Sequence, residues 1–229
     1  MSESNVQQLF GNIDIYLFDQ LLKGRFIRGM RVLDAGCGTG RNLVYFLRNG
    51  YEVFAVDQSE ESIREVRKLA SVLAPHLPAD NFRVEPVERM SFGIEANSSQ
   101  QTVNSKATSG THNLMEKSGG GFDCVLSSAV LHFARDEEQW QAMVDEMWRV
   151  LKPSGIFFAR LASTIGMEGK IKLISGRRYH LPDGSDRFLV DQAMLKNVTA
   201  ALGGEFIEPI KTTVVENLRA MTTWVVRKC

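Results

Sequence analysis

The chain has 229 residues, of which 44% are hydrophobic and 24% are charged, a balance that is typical of a globular protein and excludes a disordered one. Its 27 basic and 27 acidic side chains cancel to a formal net charge of zero. We therefore expect neither a nucleic acid nor an acidic membrane as a partner, since both normally select a basic protein. The length favours one domain over residues 1–229.

The three cysteines are widely spaced and include no CxxC pair, so we expect no metal site and no disulfide framework. Free thiols suit a reducing compartment, which predicts a cytoplasmic protein. The segment from Met1 to Gln8 is polar and lacks the basic and apolar regions of a secretory signal. No run of residues approaches the roughly 18–20 apolar residues of a membrane span, so no membrane association is expected.

The sequence of the first half of the chain predicts a helical lead-in followed by alternating strands and helices. Apolar residues at three- and four-residue steps predict helix within residues 1–29. The elements predicted next are a strand at 30–33, a helix at 43–48, a strand at 52–56, a helix that follows the N-cap Ser59, and a strand at 82–87. Pro86 interrupts the last strand, which predicts either an edge position or the end of the strand.

The second half begins with residues 91–121, whose Ser, Thr, Asn, Gln and Gly content predicts a flexible polar insertion. The elements predicted after it are strands at 122–126 and 156–161, a helix at 136–151, a turn at 152–155, a helix at 191–202, and strands at 205–210 and 222–227. This order predicts an α/β fold with a Rossmann-like, seven-stranded, mostly parallel sheet, helices on both faces and an antiparallel C-terminal hairpin.

The most informative stretch of the sequence runs from Val32 to Gly40. A predicted strand ends on Asp34, and three glycines at alternate positions follow before a helix begins. Glycine is needed where the backbone approaches a ligand closely or adopts positive φ. Asp57 ends the second strand, where a carboxylate accepts hydrogen bonds from the hydroxyls of a ribose. Together these features predict a nucleoside-binding site at the carboxyl ends of the strands.

The spacing of the glycines distinguishes between nucleotides. The dinucleotide fingerprint is GxGxxG, whereas this chain has GxGxG directly after Asp34. A carboxylate is badly placed beside a pyrophosphate and well placed beside an ammonium group. S-adenosylmethionine carries an ammonium, a ribose and an adenine but no phosphate, and it is therefore the favoured cofactor. An NAD-dependent oxidoreductase is the alternative, against which the missing Tyr-x-x-x-Lys arrangement also counts.

At this point the sequence resembles the class I S-adenosylmethionine-dependent methyltransferases of the small-molecule, methyltransferase-11/25-like type. The segments that carry the resemblance, in chain order, are 34–40, 57–59, 122–132 and 151–155. The resemblance implies transfer of a methyl group to a small-molecule acceptor by in-line displacement, with S-adenosylhomocysteine as the product. A cofactor-binding regulatory subunit that has lost catalysis remains open as a second alternative.

The cofactor-binding residues that the motifs and the resemblance imply are Asp34, Gly36, Cys37, Gly38, Gly40, Arg41, Asp57, Gln58, Val87, Glu88 and Ser127. Members of this family often have an acidic residue after the third strand to bind the adenine amino group. Pro86 occupies that place here, so the backbone of Val87 and the side chain of Glu88 are the candidates. Arg41 is a candidate for the cofactor carboxylate, for an anionic substrate, or for an ordinary solvated arginine.

Methyl transfer needs a general base only if the nucleophile must first lose a proton. His132 follows the fourth strand near the expected methyl group, and His180 lies in residues 163–190, where we expect the substrate site. Both histidines are therefore candidate catalytic residues. The alternatives are a packed histidine at 132 and a solvated one at 180.

Overall fold

The computed structural model of the protein describes residues 5–93 and 121–229. The predicted insertion at 91–121 lies almost wholly outside these described residues. The α-helices in the described ranges are α1 (Asn5–Phe10), α2 (Ile15–Leu22), α3 (Val44–Arg48), α4 (Glu60–Leu73), α5 (Glu137–Val150) and α6 (Gln192–Ala201). None of these helices has both the length and the hydropathy that crossing a bilayer requires.

The strands in the described ranges form one large and one small sheet. They are β1 (Arg31–Ala35), β2 (Glu52–Asp57), β3 (Phe82–Val84), β4 (Phe122–Ser128), β5 (Leu151–Ala162), β6 (Lys172–Ser175), β7 (Arg178–His180), β8 (Asp186–Phe188), β9 (Gly204–Phe206), β10 (Lys211–Val215) and β11 (Arg219–Lys228). The large sheet has the order β10-β11-β5-β4-β1-β2-β3, and β9 also pairs with β11. Strands β1 to β5 run parallel, and β11 is antiparallel to β5.

This arrangement confirms the predicted Rossmann-like α/β fold, with β3 at one edge and antiparallel strands at the other. The strand predicted at 205–210 is only the short β9, and a further strand, β10, begins at Lys211; both pair with β11. Pro209 lies between them and has no N–H to donate to the ladder. The large sheet therefore has eight strands in the described residues rather than the predicted seven.

The centre of the sheet is buried on both faces. Along β1, Val32 and Leu33 are fully buried and belong to two different apolar cores, because successive side chains of a strand point to opposite faces. The core around Leu33 includes Trp140 of α5, and the core around Val32 includes Val66 of α4. The chain leaves β1 toward β2, and β4 pairs on its other side, so a crevice opens at the carboxyl ends of these strands.

Short polar side chains begin the long helices where the sequence predicts them. Ser59 accepts a hydrogen bond from the Ser62 N–H at 3.2 Å, and Asp136 accepts one from the Gln139 N–H at 2.8 Å. These caps satisfy N–H groups that have no partner within their helices. The turn predicted at 152–155 does not precede the strand as expected. β5 already begins at Leu151, and Ser154 adopts a φ of 63° within the strand.

The helical lead-in predicted over residues 1–29 is two helices in the described part of that range. Gly11 ends α1 with a φ of 60°, and Asp14 then caps α2 by accepting from the Tyr16 N–H at 2.9 Å. A Cβ at position 11 would lie 2.9 Å from Val44, so the close approach of the turn to α3 also requires glycine. The break places Asp14 beside the large sheet, where it is buried.

Residues 163–190, for which the sequence predicts no element, contain a three-stranded antiparallel sheet with the order β6-β7-β8. All four residues of β6 are exposed, so the strand shows no alternation of apolar and polar residues. The small sheet is attached to the domain through Phe188, whose ring stacks on Trp140 with a centroid distance of 5.9 Å.

Candidate functional site

The glycine-rich turn after β1 opens a cavity. The Gly36 N–H donates to the Val56 carbonyl at 2.8 Å, which ties the turn to β2. Gly36 and Gly38 have φ values of 80° and 52°, a conformation that other residues adopt only with strain. A Cβ at Gly36 would lie 2.6 Å from Val130, whereas a Cβ at Gly38 would meet nothing within 4 Å. Gly36 is thus required for packing, and Gly38 borders open space.

This first cavity has a volume of about 400 Å³ and lies at the carboxyl ends of the central strands. Its lining residues are Gly36, Gly38, Asp57, Gln58, Pro86, Val87, Glu88, Ala129, Val130, Phe133, Ala134, Gln139 and Met143. Six of the residues predicted to bind the cofactor are among them: Gly36, Gly38, Asp57, Gln58, Val87 and Glu88. The structure therefore brings residues from β1, β2 and the turn after β3 to one cavity.

Asp57 is held in a fixed orientation at this cavity. Its two carboxylate oxygens accept hydrogen bonds from the backbone N–H groups of Gly38 and Ser59, each at 2.9 Å. Each oxygen keeps further lone pairs, because a carboxylate oxygen accepts more than one hydrogen bond. The carboxylate therefore connects the glycine-rich turn to the start of α4 and can still accept from hydroxyl groups in the cavity.

Asp34 lies behind the turn and is 1% exposed. Its Oδ2 is buried and has no hydrogen-bond partner within the described residues. Burial raises the pKa of the Asp34 carboxyl to about 7, with Asp57 adding to the rise and Arg41 opposing it. A buried carboxylate oxygen without a partner is unfavourable, and a cationic ligand at the turn would relieve the cost.

The far wall of the first cavity comes from the start of α5. The Gln139 amide donates to Glu88 Oε1 at 2.9 Å, which joins α5 to the turn at 87–89. Gln139 is not among the residues predicted from the sequence to form the site. Met143, on the same helix, is buried and lines the cavity as well.

Three other predicted cofactor residues are buried beside the first cavity without lining it. Burial raises the pKa of the Cys37 thiol well above its ordinary value, as do Asp34 and Asp57, so the thiol is protonated. Ser127 is fully buried in β4, and its Oγ has no partner in the described part of the chain. At Gly40, a Cβ would lie 3.0 Å from a methyl group of Val66 in α4.

A second cavity of about 300 Å³ adjoins the first, and the two share Ala129 and Phe133. Its lining residues are Arg41, Ala129, His132, Phe133, Arg160, Ala162, Leu181, Asp183, Ser185, Arg187, Val215, Arg219 and Met221. Ala129 has a φ of 65°, a strained conformation for a residue with a side chain, and its N–H donates to the Arg160 carbonyl at 2.8 Å. Strained backbone of this kind clusters at functional sites.

The two candidate histidines have different surroundings. His132 is 6% exposed in the wall of the second cavity, and its Nδ1 accepts from the Ala162 N–H at 3.3 Å. Burial, together with the nearby cations Arg187 and Arg219, lowers the pKa of His132 to about 4, so the ring is neutral at neutral pH. His180 lies on β7, exposed, with Nδ1 2.7 Å from the Asp186 carboxylate, and lines neither cavity.

Asp14 anchors the lead-in to the second cavity, a role that was not predicted from the sequence. Its Oδ2 accepts from Ser128 Oγ at 3.1 Å and from Arg160 Nη1 at 2.8 Å, and it lies 3.6 Å from Arg41 Nη2. The Asp14 N–H donates to the Asn42 side chain at 3.0 Å. One buried carboxylate thus positions two arginines. The only sequence cue is a helix-capping residue.

A family model described as "Methyltransferase domain" matches residues 33–159, which is more than half of the chain. The chain belongs to the methyltransferase-domain family. The matched residues run from β1 to β5 and include the glycine-rich turn, Asp57 and the turn that carries His132. The match therefore covers the first cavity and part of the wall of the second.

Two curated relatives match this methyltransferase-domain chain. The uncharacterized methyltransferase YodH of Bacillus subtilis (strain 168) is 30% identical over 141 residues, which are 62% of this chain and 44% of that protein. A malonyl-acyl-carrier-protein O-methyltransferase of Enterobacter lignolyticus (strain SCF1) is 28% identical over 196 residues, which are 85% of this chain and 62% of that protein. The chain thus spans less than two thirds of the length of either relative.

The fold of this chain is also found in solved structures of other proteins. The 1,6-didemethyltoxoflavin-N1-methyltransferase of Burkholderia thailandensis superposes with a TM-score of 0.61 at 19% identity, over 93% of this chain and 75% of that protein. That structure contains 1,6-didemethyltoxoflavin and S-adenosylhomocysteine. At this level of identity the likeness shows the shared fold.

Proposed function

We propose that the protein transfers a methyl group from S-adenosylmethionine to a small-molecule acceptor by in-line displacement, with S-adenosylhomocysteine as the product. The observation that carries the proposal is the buried Asp34 Oδ2, which has no partner among the described residues and lies beside a glycine-rich turn that borders the first cavity. Membership of the methyltransferase-domain family supports it.

The residues around the first cavity fit the chemical groups of this cofactor. Asp34 is suited to the ammonium group, and Asp57 is suited to the ribose hydroxyls because backbone N–H groups already orient its carboxylate. Gln58, Val87 and Glu88 line the cavity where the adenine would lie, and Met143 adds an apolar wall. When bound, the cofactor supplies a methyl group on a positively charged sulfur, which is activated for displacement.

The remaining residues that we assign to this site pack around the glycine-rich turn and hold it in place. Gly36 and Gly40 keep the turn against its neighbours, and Cys37 and Ser127 are small side chains that fill the space beneath it. Arg41 lies at the second cavity and is a candidate for contact with either ligand. No metal enters the proposal, because methyl transfer from a sulfonium needs alignment and exclusion of water rather than a Lewis acid.

The second cavity is suited to the acceptor, because it meets the first cavity at Ala129 and Phe133. A nucleophile held there would approach the cofactor across this border, and holding two reactants in line supplies much of the rate enhancement of such a reaction. His132 has a pKa of about 4 and its Nδ1 already accepts a hydrogen bond, so it is a weak base at neutral pH. We assign it a positioning role, and we assign His180 no role.

A small acceptor fits the size of the second cavity, which at about 300 Å³ is at the lower end of the range for ligand pockets. The zero net charge favours a small molecule over a nucleic acid. Cys37, Cys124 and Cys229 are all free, which supports the reducing cytoplasm as the place of action. The related O-methyltransferase and the Burkholderia enzyme also carry names that specify methyl transfer.

Calorimetric titration of the purified chain with S-adenosylhomocysteine, with NADH as the control, tests the proposal. We expect S-adenosylhomocysteine to bind with one-to-one stoichiometry and NADH not to bind. Binding of NADH alone would support the oxidoreductase alternative and overturn the proposal. Binding of neither ligand would also contradict it, because the first cavity would then lack the affinity that a methyltransferase needs.

A further inference from the structure

Four arginines from four separate parts of the chain converge on the second cavity. Arg41 follows the glycine-rich turn, and the others lie on three different strands of the two sheets. These three are Arg160 on β5, Arg187 on β8 and Arg219 on β11. Asp183 is the one acidic residue in the lining. A concave site with such an excess of one charge concentrates ligands of the opposite charge.

The carboxylates near these arginines do not neutralise them. Asp14 lies behind the lining, 2.8 Å from Arg160 and 3.6 Å from Arg41. Asp183 is 3.9 Å from Arg219, at the limit of an ion pair. Four positive charges and two negative charges leave a formal excess of two.

Asp183 is engaged with neighbours of its own. Its Oδ1 accepts hydrogen bonds from the Ser185 N–H at 3.0 Å and from the Ser185 hydroxyl at 2.6 Å. These bonds, with Arg219 and Arg187, hold the pKa of Asp183 below its usual value although burial opposes them. The carboxylate is therefore ionised and orients the loop between β7 and β8, and it leaves most of the Arg219 guanidinium free.

Arg187 is the arginine that is best placed for a ligand. Within the described residues it forms no ion pair, and one of its Nη atoms donates to the Asp186 carbonyl at 2.8 Å. Its guanidinium lies 4.7 Å from the centroid of the Phe133 ring, so it is fixed over a residue that borders both cavities. Arg187 therefore keeps guanidinium donors for an added group.

Building on the proposed function, we propose that the methyl acceptor is a small anion whose carboxylate or phosphate group binds to Arg187 and Arg219 in the second cavity. Guanidinium groups recognise both kinds of anion through paired, charge-assisted hydrogen bonds. Leu181 and Met221 give the same cavity an apolar wall for the rest of the molecule. The end that receives the methyl group then lies toward Ala129.

The neutral protonation state of His132 is consistent with a negatively charged acceptor. Burial, with smaller contributions from Arg187 and Arg219, lowers the pKa of this histidine to about 4, so the ring is neutral at neutral pH. Because a neutral imidazole carries no net charge, it neither attracts nor repels an ion strongly. The arginines therefore determine whether the cavity prefers an anion or a cation. A cationic acceptor would meet the uncompensated charge of both arginines, which costs binding free energy.

The test uses the full chain saturated with S-adenosylhomocysteine and measures the thermal unfolding midpoint, Tm. Glutarate and inorganic phosphate are the anionic probes, and glutaramide is the neutral control of the same shape as glutarate. Sodium chloride keeps the ionic strength constant. We expect glutarate, phosphate or both to raise Tm by several degrees, because a ligand that binds only the folded state stabilises it. Glutaramide should leave Tm unchanged.

The double variant Arg187→Gln/Arg219→Gln shows whether the response belongs to the second cavity. Neither side chain forms a close ion pair in the described structure, so the variant should fold and bind S-adenosylhomocysteine as the parent chain does. We expect it to lose the anion response. Arg135→Gln is the matched control, because Arg135 is exposed and lines neither cavity. This control should keep the full response.

The outcomes separate this inference from the proposed function. If only glutarate raises Tm, the anionic group of the acceptor is a carboxylate. If only phosphate raises Tm, that group is a phosphate. An equal response to glutaramide, an undiminished response in the double variant, or no response to either anion overturns the inference. Failure to bind S-adenosylhomocysteine overturns the proposed function instead, and the first titration reveals it before any anion is added.

Discussion

The two cavities differ in charge although they share a border. The first has Asp57 and Glu88 in its lining and Asp34 behind it, whereas the second has four arginines in its lining and one aspartate. A cationic cofactor and an anionic acceptor would each be drawn to its own side of Ala129 and Phe133. If the proposed ligands bind as inferred, the two halves of the site would sort them by charge before any close contact forms.

The largest effect is expected from removing the carboxylate of Asp57 from the first cavity. In Asp57→Ala the ribose hydroxyls lose their acceptor, and the Gly38 and Ser59 N–H groups lose theirs. We expect the Kd for S-adenosylhomocysteine to rise about 100-fold, since hydrogen bonds to charged groups contribute roughly 1.5–3 kcal/mol each. Calorimetry measures the change, with the exposed Asp145→Ala on α5 as the control. An Asp57→Ala affinity within threefold of the parent value would remove Asp57 from the site.

A smaller effect is expected from pH, through Asp34. Its pKa of about 7 means that lowering the pH from 7 to 6 protonates most of this carboxyl, which we propose binds the ammonium group. The affinity for S-adenosylhomocysteine should therefore fall about fivefold over that unit of pH. It should also fall above about pH 8, where the ligand's own α-amino group loses its proton. In Asp34→Asn the loss between pH 7 and 6 should disappear, and a persisting loss would assign the titration to another group.

The same carboxyl predicts how the stability of the ligand-free protein depends on pH. Because the pKa of Asp34 is higher in the folded state than its ordinary value of 3.8, the folded state binds more protons than the unfolded state between these pH values. Stability should therefore decrease as the pH rises from about 4 through 7. Urea unfolding at several pH values should show a smaller decrease for Asp34→Asn. An equal decrease in both proteins would contradict the assignment.

The smallest effect is expected at His180, which distinguishes the two candidate histidines. His180 is exposed on β7 and lines neither cavity, so His180→Gln should change kcat/KM by less than about twofold once an acceptor is known. His132→Gln should raise KM for the acceptor while the pH profile keeps its shape, because a neutral histidine with a pKa of about 4 does not titrate near pH 7. A profile that loses an inflection near pH 6–7 in His132→Gln would make His132 a base.

The first cavity was largely predictable from the sequence because its chemistry is local. The turn from Gly36 to Gly40 follows β1 directly and Asp57 is the last residue of β2, and parallel strands place their carboxyl ends together. The alternation of strands and helices along the chain likewise predicted a mostly parallel sheet with an antiparallel hairpin at its C-terminal end. Gln139 and Met143 were missed as lining residues, since a residue at the start of a helix or on its buried face shows no sign of a cavity beside it.

The second cavity was not predictable, because its residues come from distant parts of the chain. Nothing in the local sequence around Arg160, Arg187 or Arg219 indicates that they meet. The small sheet that carries Arg187 escaped detection because its first strand is exposed along its whole length. Asp14 was missed for the same reason: its link to Arg160 spans 146 residues. The predicted substrate segment at 163–190 does supply Leu181, Asp183, Ser185 and Arg187 to the lining, but the sequence gives no reason to choose those four.

A crystal structure of the chain with S-adenosylhomocysteine tests the division between the two cavities most directly. We expect the ligand in the first cavity, with its ribose hydroxyls on the Asp57 carboxylate, its ammonium group near Asp34 and its sulfur facing Ala129 and Phe133. The arginine-lined cavity should remain accessible for the acceptor. A ligand bound among Arg160, Arg187 and Arg219, or one whose sulfur faces away from Ala129, would contradict the account.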